Sequence, residues 1–293
     1  MIFAAVIDDS IFQNPEIHDL IRRSLAEDIG DGDHSSLAAI PAGTQGMAQM
    51  IIKEAGVLAG VELSRVIFHL SDPEMNVEIL LKDGTRVKPG DIVLRVRGSV
   101  HSILRTERLV LNLAQRLSGI ATRTHHISEL IKGTNCRLLD TRKTTPGLRL
   151  LEKWAVRVGG GENHRIGLYD MIMLKDNHND YAGGISAAVH RTADYLKEKG
   201  LSLKVEVETR NLEEVKEALN TGKVDRIMLD NFGIEALKEA IAFIDHRVET
   251  EASGGITEDT IRAYAETGVD FISVGALTHS VKALDISLKE VHS

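Results

Sequence analysis

LLDTRKTTPG, residues Leu138–Gly147, is the stretch that decides how the rest of the sequence is interpreted. Two leucines lead into a run of polar residues, and Pro146 and Gly147 end the segment, because proline has no N–H and restricts the residue before it. A buried strand that ends in Arg142 and Lys143 is difficult to explain by packing. The two adjacent cations predict an anionic ligand, and the alternative is a solvated turn with exposed basic residues.

The composition is that of a globular enzyme with an acidic surplus. Of 293 residues, 43% are hydrophobic and 27% are charged, and the net charge is −8 at pH 7. This charge argues against generic nucleic-acid binding, which needs a basic surface. Cys136 is the only cysteine, which excludes an intrachain disulfide and suits a reducing compartment. No apolar run reaches about 18 residues and no signal-peptide pattern begins the chain, so we expect a cytoplasmic protein that binds no membrane.

The first part of the chain predicts a small α/β domain. A helix is predicted over residues 14–29, with Asn14 as its N-cap and Pro15 at the first helical position. Closely spaced turns over residues 44–100 predict a β-rich sandwich, and residues 101–121 predict an amphipathic helix. The sandwich resembles biotinyl and lipoyl carrier domains in its turn pattern, but Lys53 lacks the neighbours of a carrier lysine.

From Arg137 onward, apolar runs of four to five residues alternate with helical segments. This alternation requires parallel strands joined by helical crossovers, and it predicts a closed or nearly closed α/β barrel, with a doubly wound sheet as the alternative. No G-x-G-x-x-G sequence follows the first strand, which weakens a dinucleotide-binding interpretation. The predicted strands are Arg137–Thr141, Met171–Lys175, Lys204–Glu208, Arg226–Asp230, Glu249–Ser253 and Phe271–Gly275.

Each predicted strand ends on residues that can take part in chemistry, and in a barrel these ends meet at one mouth. Five of them form a cationic basin that suits carboxylate or phosphate: Arg142, Lys143, His164, Arg165 and Lys175. Glu208 and Asp230 face that basin and suit ribose hydroxyls or Mg²⁺. Glycine-rich turns before two helices predict a phosphate site at Ser253, Gly254, Gly255 and Gly275.

A set of motifs gives a more specific identification. In chain order they are GDHSS, DGTRVKPGDIVLRVRG, RTERLVLNLAQRLSGIAT, LLDTRKTTPGLRLLEKWAV, GGGENHRIGLYDMIMLKDNH, VEVET, IMLDN, ASGGI and SVGALTHS. Their combination over nearly the whole chain resembles the quinolinate phosphoribosyltransferase family of NAD biosynthesis. The resemblance implies an N-terminal α/β sandwich (hammerhead-like) domain over 1–117, with 279–293 packed back on it. An open parallel α/β barrel then covers 118–278.

The resemblance also implies the reaction and the roles of individual residues. Quinolinate and 5-phosphoribosyl 1-diphosphate would give nicotinate mononucleotide, pyrophosphate and CO₂, with Mg²⁺ as cofactor, in a homodimer. Lys143, Lys175, Glu208 and Asp230 would be catalytic, the two carboxylates also holding Mg²⁺. Arg105 would reach across the subunit interface into the partner's site. The other implied substrate-binding residues are Thr141, Arg142, His164, Arg165, Ser253, Gly254, Gly255 and Gly275.

Two other functions are compatible with parts of the sequence. A related barrel phosphoribosyltransferase would use nicotinate, or would be the molybdenum-transport-associated homologue. A non-catalytic carrier or binding module built on residues 44–100 would leave the residues at the strand ends unexplained. One departure from the family is a turn at Asn220–Asp225 that is about one residue longer, on the side of the barrel away from the site.

Overall fold

The computed structural model describes residues 8–291, which form two compact units. The sandwich unit comprises residues 8–125, 144–160 and 277–291, and the barrel unit comprises residues 126–143 and 161–276. The predicted domain boundaries at 117/118 and 278/279 stay a prediction. Between residues 8 and 291, no helix combines the length and the apolar character needed to cross a membrane.

The sandwich unit is built on a four-stranded antiparallel sheet in the order β12-β1-β5-β3, accompanied by a β2-β4 pair. Its strands are β1 (Gln45–Ile52), β2 (Gly56–Val57), β3 (Asn76–Ile79), β4 (Arg86–Val87), β5 (Ile92–Ser99) and β12 (Ile286–Glu290). Strand β12 pairs with β1 over five residues, Ile52 standing opposite Ile286. The last strand of the chain therefore completes the first sheet.

The helices of this unit follow the predicted capping and burial patterns. They are α1 (Pro15–Ile29), α2 (His34–Ala39), α3 (Val61–Ser71), the first part of α4 (Val100–Leu130) and α5 (Arg149–Val158). Asn14 accepts the Glu16 N–H at 2.9 Å, and Ile17 and Ile21 are buried on the inner face of α1. Helix α4 continues nine residues beyond its predicted end. Helix α2, which was not predicted, is capped by Asp33.

The barrel unit contains one parallel six-stranded sheet in the order β6-β11-β10-β9-β8-β7. Its strands are β6 (Arg137–Leu139), β7 (Ile172–Leu174), β8 (Val205–Thr209), β9 (Arg226–Asp230), β10 (Glu249–Ser253) and β11 (Phe271–Ser273). Its helices are the end of α4, α6 (Asp176–Ala182), α7 (Ile185–Lys199), α8 (Leu212–Asn220), α9 (Ile234–Ile244) and α10 (Glu258–Ala265), with α11 (Ala276–His279) at the boundary. Each strand from β7 to β10 pairs with the next one in sequence, and β11 pairs with β6. This is the order of a barrel left open between β6 and β7.

Side chains of the barrel strands alternate between two sides, and this alternation determines which of them reach the interior. Within β8, Val205 and Val207 point one way and Glu206 and Glu208 the other. Arg226 of β9 stands opposite both Glu206 of β8 and Glu249 of β10. The sheet therefore carries a row of charged residues on one face, directly below the strand ends.

Candidate active site

The predicted site residues of the barrel unit lie at the carboxyl end of its sheet, which we call the mouth. They are Thr141, Arg142 and Lys143 beyond β6, Lys175 directly after β7, Glu208 in β8, Asp230 and Ser253 as the last residues of β9 and β10, and Gly275 beyond β11. Because all six strands are parallel, their carboxyl ends lie at the same end of the sheet, and so do these residues. The sequence-based placement of these residues at strand ends is therefore confirmed.

Asp140, just beyond β6, fixes the segment that carries His164 and Arg165. Its side chain is fully buried and accepts the backbone N–H of His164 at 2.9 Å and the Asn163 amide at 2.6 Å. Asp170 closes the same segment by accepting the N–H groups of Ile166 and Gly167. Two carboxylates thus accept hydrogen bonds from backbone N–H groups of this short loop. These bonds make the loop rigid and fix the position of Arg165.

Two guanidinium groups at the mouth are short of anionic partners. Nε of Arg142 is buried and has no acceptor anywhere in residues 8–291. Arg165 is buried and donates from Nη1 to the Met171 carbonyl at 3.3 Å. Burial and the neighbouring charge of Arg142 lower the pKa of Arg165. A buried donor without an acceptor destabilises the protein, so binding of an anion by this pair of cations is favourable.

The acidic side of the mouth consists of Glu208 and Asp230. Glu208 is mostly buried, and its pKa is raised by burial and by the nearby charges of Asp230 and Asp176, although Lys175 opposes the shift. The Lys175 ammonium lies 3.5 Å from the Glu208 carboxylate and is half exposed. Glu208 with Asp230 near it, beside an accessible lysine, forms a site for a cation or for hydroxyl groups.

The turn after β10 has the backbone geometry of an anion-binding turn. Gly254 and Gly255 have φ values of +89° and +65°, which only glycine adopts without strain. A Cβ at Gly254 would also collide with the side chain of Asn231. Helix α10 begins three residues later, at Glu258, so the positive end of its dipole follows this turn, which suits a phosphate.

Below the mouth, four buried charged side chains form a cluster that was not predicted as a site. We call His164, Glu206, Glu251 and Arg226 the interior charge cluster. His164 Nε2 lies 3.0 Å from Glu206 and 3.3 Å from Glu251, and Arg226 Nη1 lies 3.0 Å from Glu251. Arg226 also pairs with Glu249 at 3.0 Å. The carboxylates of Glu206 and Glu251 are fully buried.

Burial, hydrogen bonds and neighbouring charges shift the pKa values within this cluster. Burial disfavours the charged form of His164, but Glu206 and Glu251 outweigh that effect and raise its pKa. The backbone N–H of Arg165 lies 2.7 Å from Nδ1 of His164, and Nε2 lies beside the two carboxylates. Burial and the charge of Glu251 raise the pKa of Glu206, against the effects of His164 and Arg226. His164 and Arg226 lower the pKa of Glu251 against the effect of burial.

The ligand atoms of His164, Glu206 and Glu251 lie within 4.8 Å of one another, as in a metal site. The pairing of Glu251 with Arg226 argues for a structural role, because Arg226 already neutralises that carboxylate at 3.0 Å. Both ring nitrogens of His164 therefore face protein atoms, and Arg165 is the neighbour that this ring holds in place.

Several residues of the site were missed by sequence reasoning. Glu206 lies within the predicted strand Lys204–Glu208, and its alternation with Glu208 could have placed it in the interior. Glu251, Arg226 and Asp140 gave no such signal, because their partners lie in other strands or loops. Arg105 lies in the sandwich unit, where it donates to Ser71 and Ser102.

Comparisons with known proteins agree on one family. Residues 33–118 match the N-terminal domain, and residues 120–289 the C-terminal domain, of quinolinate phosphoribosyl transferase. The chain is 48% identical to the chloroplastic nicotinate-nucleotide pyrophosphorylase [carboxylating] of Arabidopsis thaliana, over 92% of this chain and 81% of that protein. It is 43% identical to a probable enzyme of the same name from Synechocystis, over 93% and 92% of the two chains.

Comparison with solved structures identifies the same family. The crystal structure of NadC from Streptococcus pyogenes matches with a TM-score of 0.90 and 42% identity, covering 97% of this chain and 99% of that one. The nicotinate-nucleotide pyrophosphorylase from Francisella tularensis matches with a TM-score of 0.88 and 40% identity, over 95% and 97%. Human nicotinic acid phosphoribosyltransferase, at 14% identity and a TM-score of 0.58, shares the fold.

Proposed function

The chain belongs to the quinolinate phosphoribosyltransferase family, and we propose that it joins quinolinate to the ribose of 5-phosphoribosyl 1-diphosphate. The products are nicotinate mononucleotide, pyrophosphate and CO₂. The observation that carries the assignment of substrate is the buried, acceptor-free Nε of the half-buried Arg142, beside the buried Arg165. Two such guanidinium groups suit a dicarboxylate better than the single carboxylate of nicotinate.

Binding of quinolinate is assigned to the basic side of the mouth. Arg142 and Arg165 hold its carboxylates, with Lys175 and Thr141 at the edge of the same pocket and His164 beneath Arg165. Holding both carboxylates orients the ring nitrogen toward C1 of the ribose, and such orientation contributes several kcal/mol in favourable cases, roughly 7 to 11 at most.

Binding of the phosphoribosyl donor is assigned to the other strand ends. Ser253, Gly254, Gly255 and Gly275 supply the turns that receive phosphate, and Glu208 and Asp230 face the ribose. As the bond from C1 to pyrophosphate breaks, positive charge develops at C1 and negative charge on the leaving group. We assign stabilisation of the former to the two carboxylates and stabilisation of the latter to Lys143.

The nitrogen of quinolinate then forms the new bond to C1, which leaves the ring positively charged. That ring accepts the electron pair released when the adjacent carboxylate departs as CO₂, and the carbon left behind takes a proton from solvent. The half-exposed Lys175 ammonium stands next to Glu208, so it can hold a carboxylate during addition without blocking its departure.

Magnesium fits the donor set at the acidic side of the mouth. Glu208 and Asp230 offer carboxylate oxygens close enough to raise the pKa of Glu208, which is the situation that a divalent cation relieves. Glu208 and Asp230 would hold the ion, which supplies neutralisation of the diphosphate as it leaves. Removing divalent ions with EDTA should abolish turnover, and Mg²⁺ in excess of the chelator should restore it. Full activity in EDTA would contradict this assignment.

A homodimer in which Arg105 enters the partner's site is proposed from the family resemblance. The test mixes two inactive variants, Arg105→Ala and Lys143→Ala. If sites are shared, one site of each mixed dimer is assembled from the two undamaged residues and partial activity returns. Inactive mixtures, with subunit exchange verified by a tag, would argue against sharing.

The substrate is decided by one assay. The protein is incubated with 5-phosphoribosyl 1-diphosphate and either quinolinate or nicotinate, and pyrophosphate and CO₂ are measured. We expect both products with quinolinate only. Pyrophosphate release with nicotinate alone would overturn the proposal. The predicted cytoplasmic location stays a prediction, since the named plant relatives are chloroplastic or mitochondrial.

A further inference from the structure

Asn231 has a strained backbone at the centre of the mouth. Its φ is +57°, in the left-handed region, which among the described non-glycine residues is shared only with Asp245 and His246. Those two residues follow helix α9, where a left-handed residue is a common way to end a helix. Asn231 ends no helix. It directly follows Asp230, the last residue of β9, and strain of this kind persists where surrounding contacts impose it.

Three contacts hold Asn231 in that conformation. Its backbone N–H donates to the Ser253 carbonyl at 2.8 Å, and its side-chain Nδ2 donates to Asp230 Oδ2 at 2.7 Å. A carboxylate accepts hydrogen bonds, so the amide orientation is fixed and Oδ1 must face Gly254. A Cβ at Gly254 would collide with that oxygen. One side chain thus lies between the Asp230 carboxylate and the glycine turn.

Packing does not explain this arrangement, because Asn231 is exposed. The next residue, Phe232, is buried, and its carbonyl accepts the Tyr264 hydroxyl at 2.9 Å. The chain is therefore anchored on both sides of Asn231, by β9 before it and by Phe232 after it. What the Asn231 side chain adds is the orientation of its two neighbours at the mouth.

We propose that Asn231 is a positioning residue that fixes the Asp230 carboxylate against the Ser253–Gly255 turn and thereby sets the affinity for the phosphoribosyl donor. The proposal rests on the roles given above to Asp230 and to the glycine turn. It predicts an effect on the donor and none on quinolinate, since Arg142 and Arg165 belong to other strands and loops.

The test compares Asn231→Gly with Asn231→Ala. Glycine accepts the left-handed backbone without strain, so Asn231→Gly removes only the side-chain contacts, whereas alanine adds a backbone penalty. We expect both variants to raise KM for 5-phosphoribosyl 1-diphosphate about tenfold or more, since a hydrogen bond to a charged group is lost. KM for quinolinate and the melting temperature of Asn231→Gly should stay at the wild-type values. If only the alanine variant is impaired, the side chain has no positioning role and the proposal is wrong.

A double-mutant cycle separates this proposal from the one it rests on. Asp230→Asn should itself raise KM for the donor, and an unchanged KM would refute the role of Asp230 rather than that of Asn231. If Asn231 acts through Asp230, then Asp230→Asn/Asn231→Gly should be no worse than Asp230→Asn alone. Additive losses would show that Asn231 acts independently, for example by touching the donor, and would overturn the positioning role.

Discussion

Replacing Glu251 with glutamine should destabilise the protein far more than the same change at Glu206, although both carboxylates are fully buried and both lie beside His164. The difference comes from their other partners. Glu251 is charged and lies 3.0 Å from Arg226 Nη1. Burial and the charge of Glu251 raise the pKa of Glu206, so we expect its neutral form, which glutamine reproduces.

The size of the effect follows from the Arg226 pair. Two unit charges 3.0 Å apart attract each other by about 5 kcal/mol at an effective dielectric constant of about 20. Arg226 keeps its second pair with Glu249, whose side chain is 33% exposed, so we expect Glu251→Gln to lower the free energy of unfolding by about 3 kcal/mol. For Glu206→Gln, which exchanges one neutral group for another, we expect a loss within about 1 kcal/mol.

Urea unfolding at pH 7, followed by far-UV circular dichroism, measures both variants beside the wild type. The double variant Glu251→Gln/Arg226→Gln is the control, because it removes both charges of the pair and should recover part of the lost stability. Equal losses in the two single variants would refute the reasoning. They would mean that Glu206, like Glu251, is ionised in the folded protein.

Three further predictions concern single residues. Arg142→Ala should raise KM for quinolinate about tenfold to a hundredfold, as expected for a lost charge-assisted hydrogen bond, and unchanged steady-state kinetics would remove Arg142 from the site. Gly254→Ala should raise KM for the donor, whereas Gly43→Ala, at a similar φ of +81° but with open space around it, should leave both KM values unchanged. Burial raises the pKa of Asp83 from 3.8 to about 6, so the folded state binds its proton more tightly. Stability should fall by about 3 kcal/mol as pH rises from about 4 to about 6, and urea midpoints of Asp83→Asn should lack that part of the pH dependence.

The barrel could be predicted from the sequence because its elements are locally encoded. Strands β9 and β10 begin and end at the predicted residues. Their apolar runs are bounded by turn-forming residues, so neighbouring residues suffice to define them. Strand β6 ends two residues earlier than predicted. The next residue, Asp140, lies outside the strand and accepts the N–H of His164, 24 positions further along the chain. A contact between residues so far apart cannot be predicted from a local sequence pattern.

The interior charge cluster could not be predicted for the same reason. Glu206, Arg226 and Glu251 are hydrophilic residues in strands, and a sequence alone cannot say whether such residues face solvent or the interior. The strand order answers the question, since it places β8, β9 and β10 side by side and brings the His164 loop over them. Their pairing depends on three strands and a loop at once, and it becomes visible only in the folded chain.

Ion pairing also distinguishes the charged residues that support the site from the charged residues that bind a ligand. Arg226 has Glu249 and Glu251 as partners, so little of its charge remains to attract a ligand. The Arg142 guanidinium has a buried N–H with no acceptor in the described chain, and Arg165 beside it donates to a carbonyl. A dicarboxylate entering the mouth would be repelled by Glu206 and Glu251 if both were ionised and unpaired. Burial favours the neutral form of Glu206 and Arg226 pairs with Glu251, so both effects reduce that repulsion and favour binding of an anion by the two arginines above.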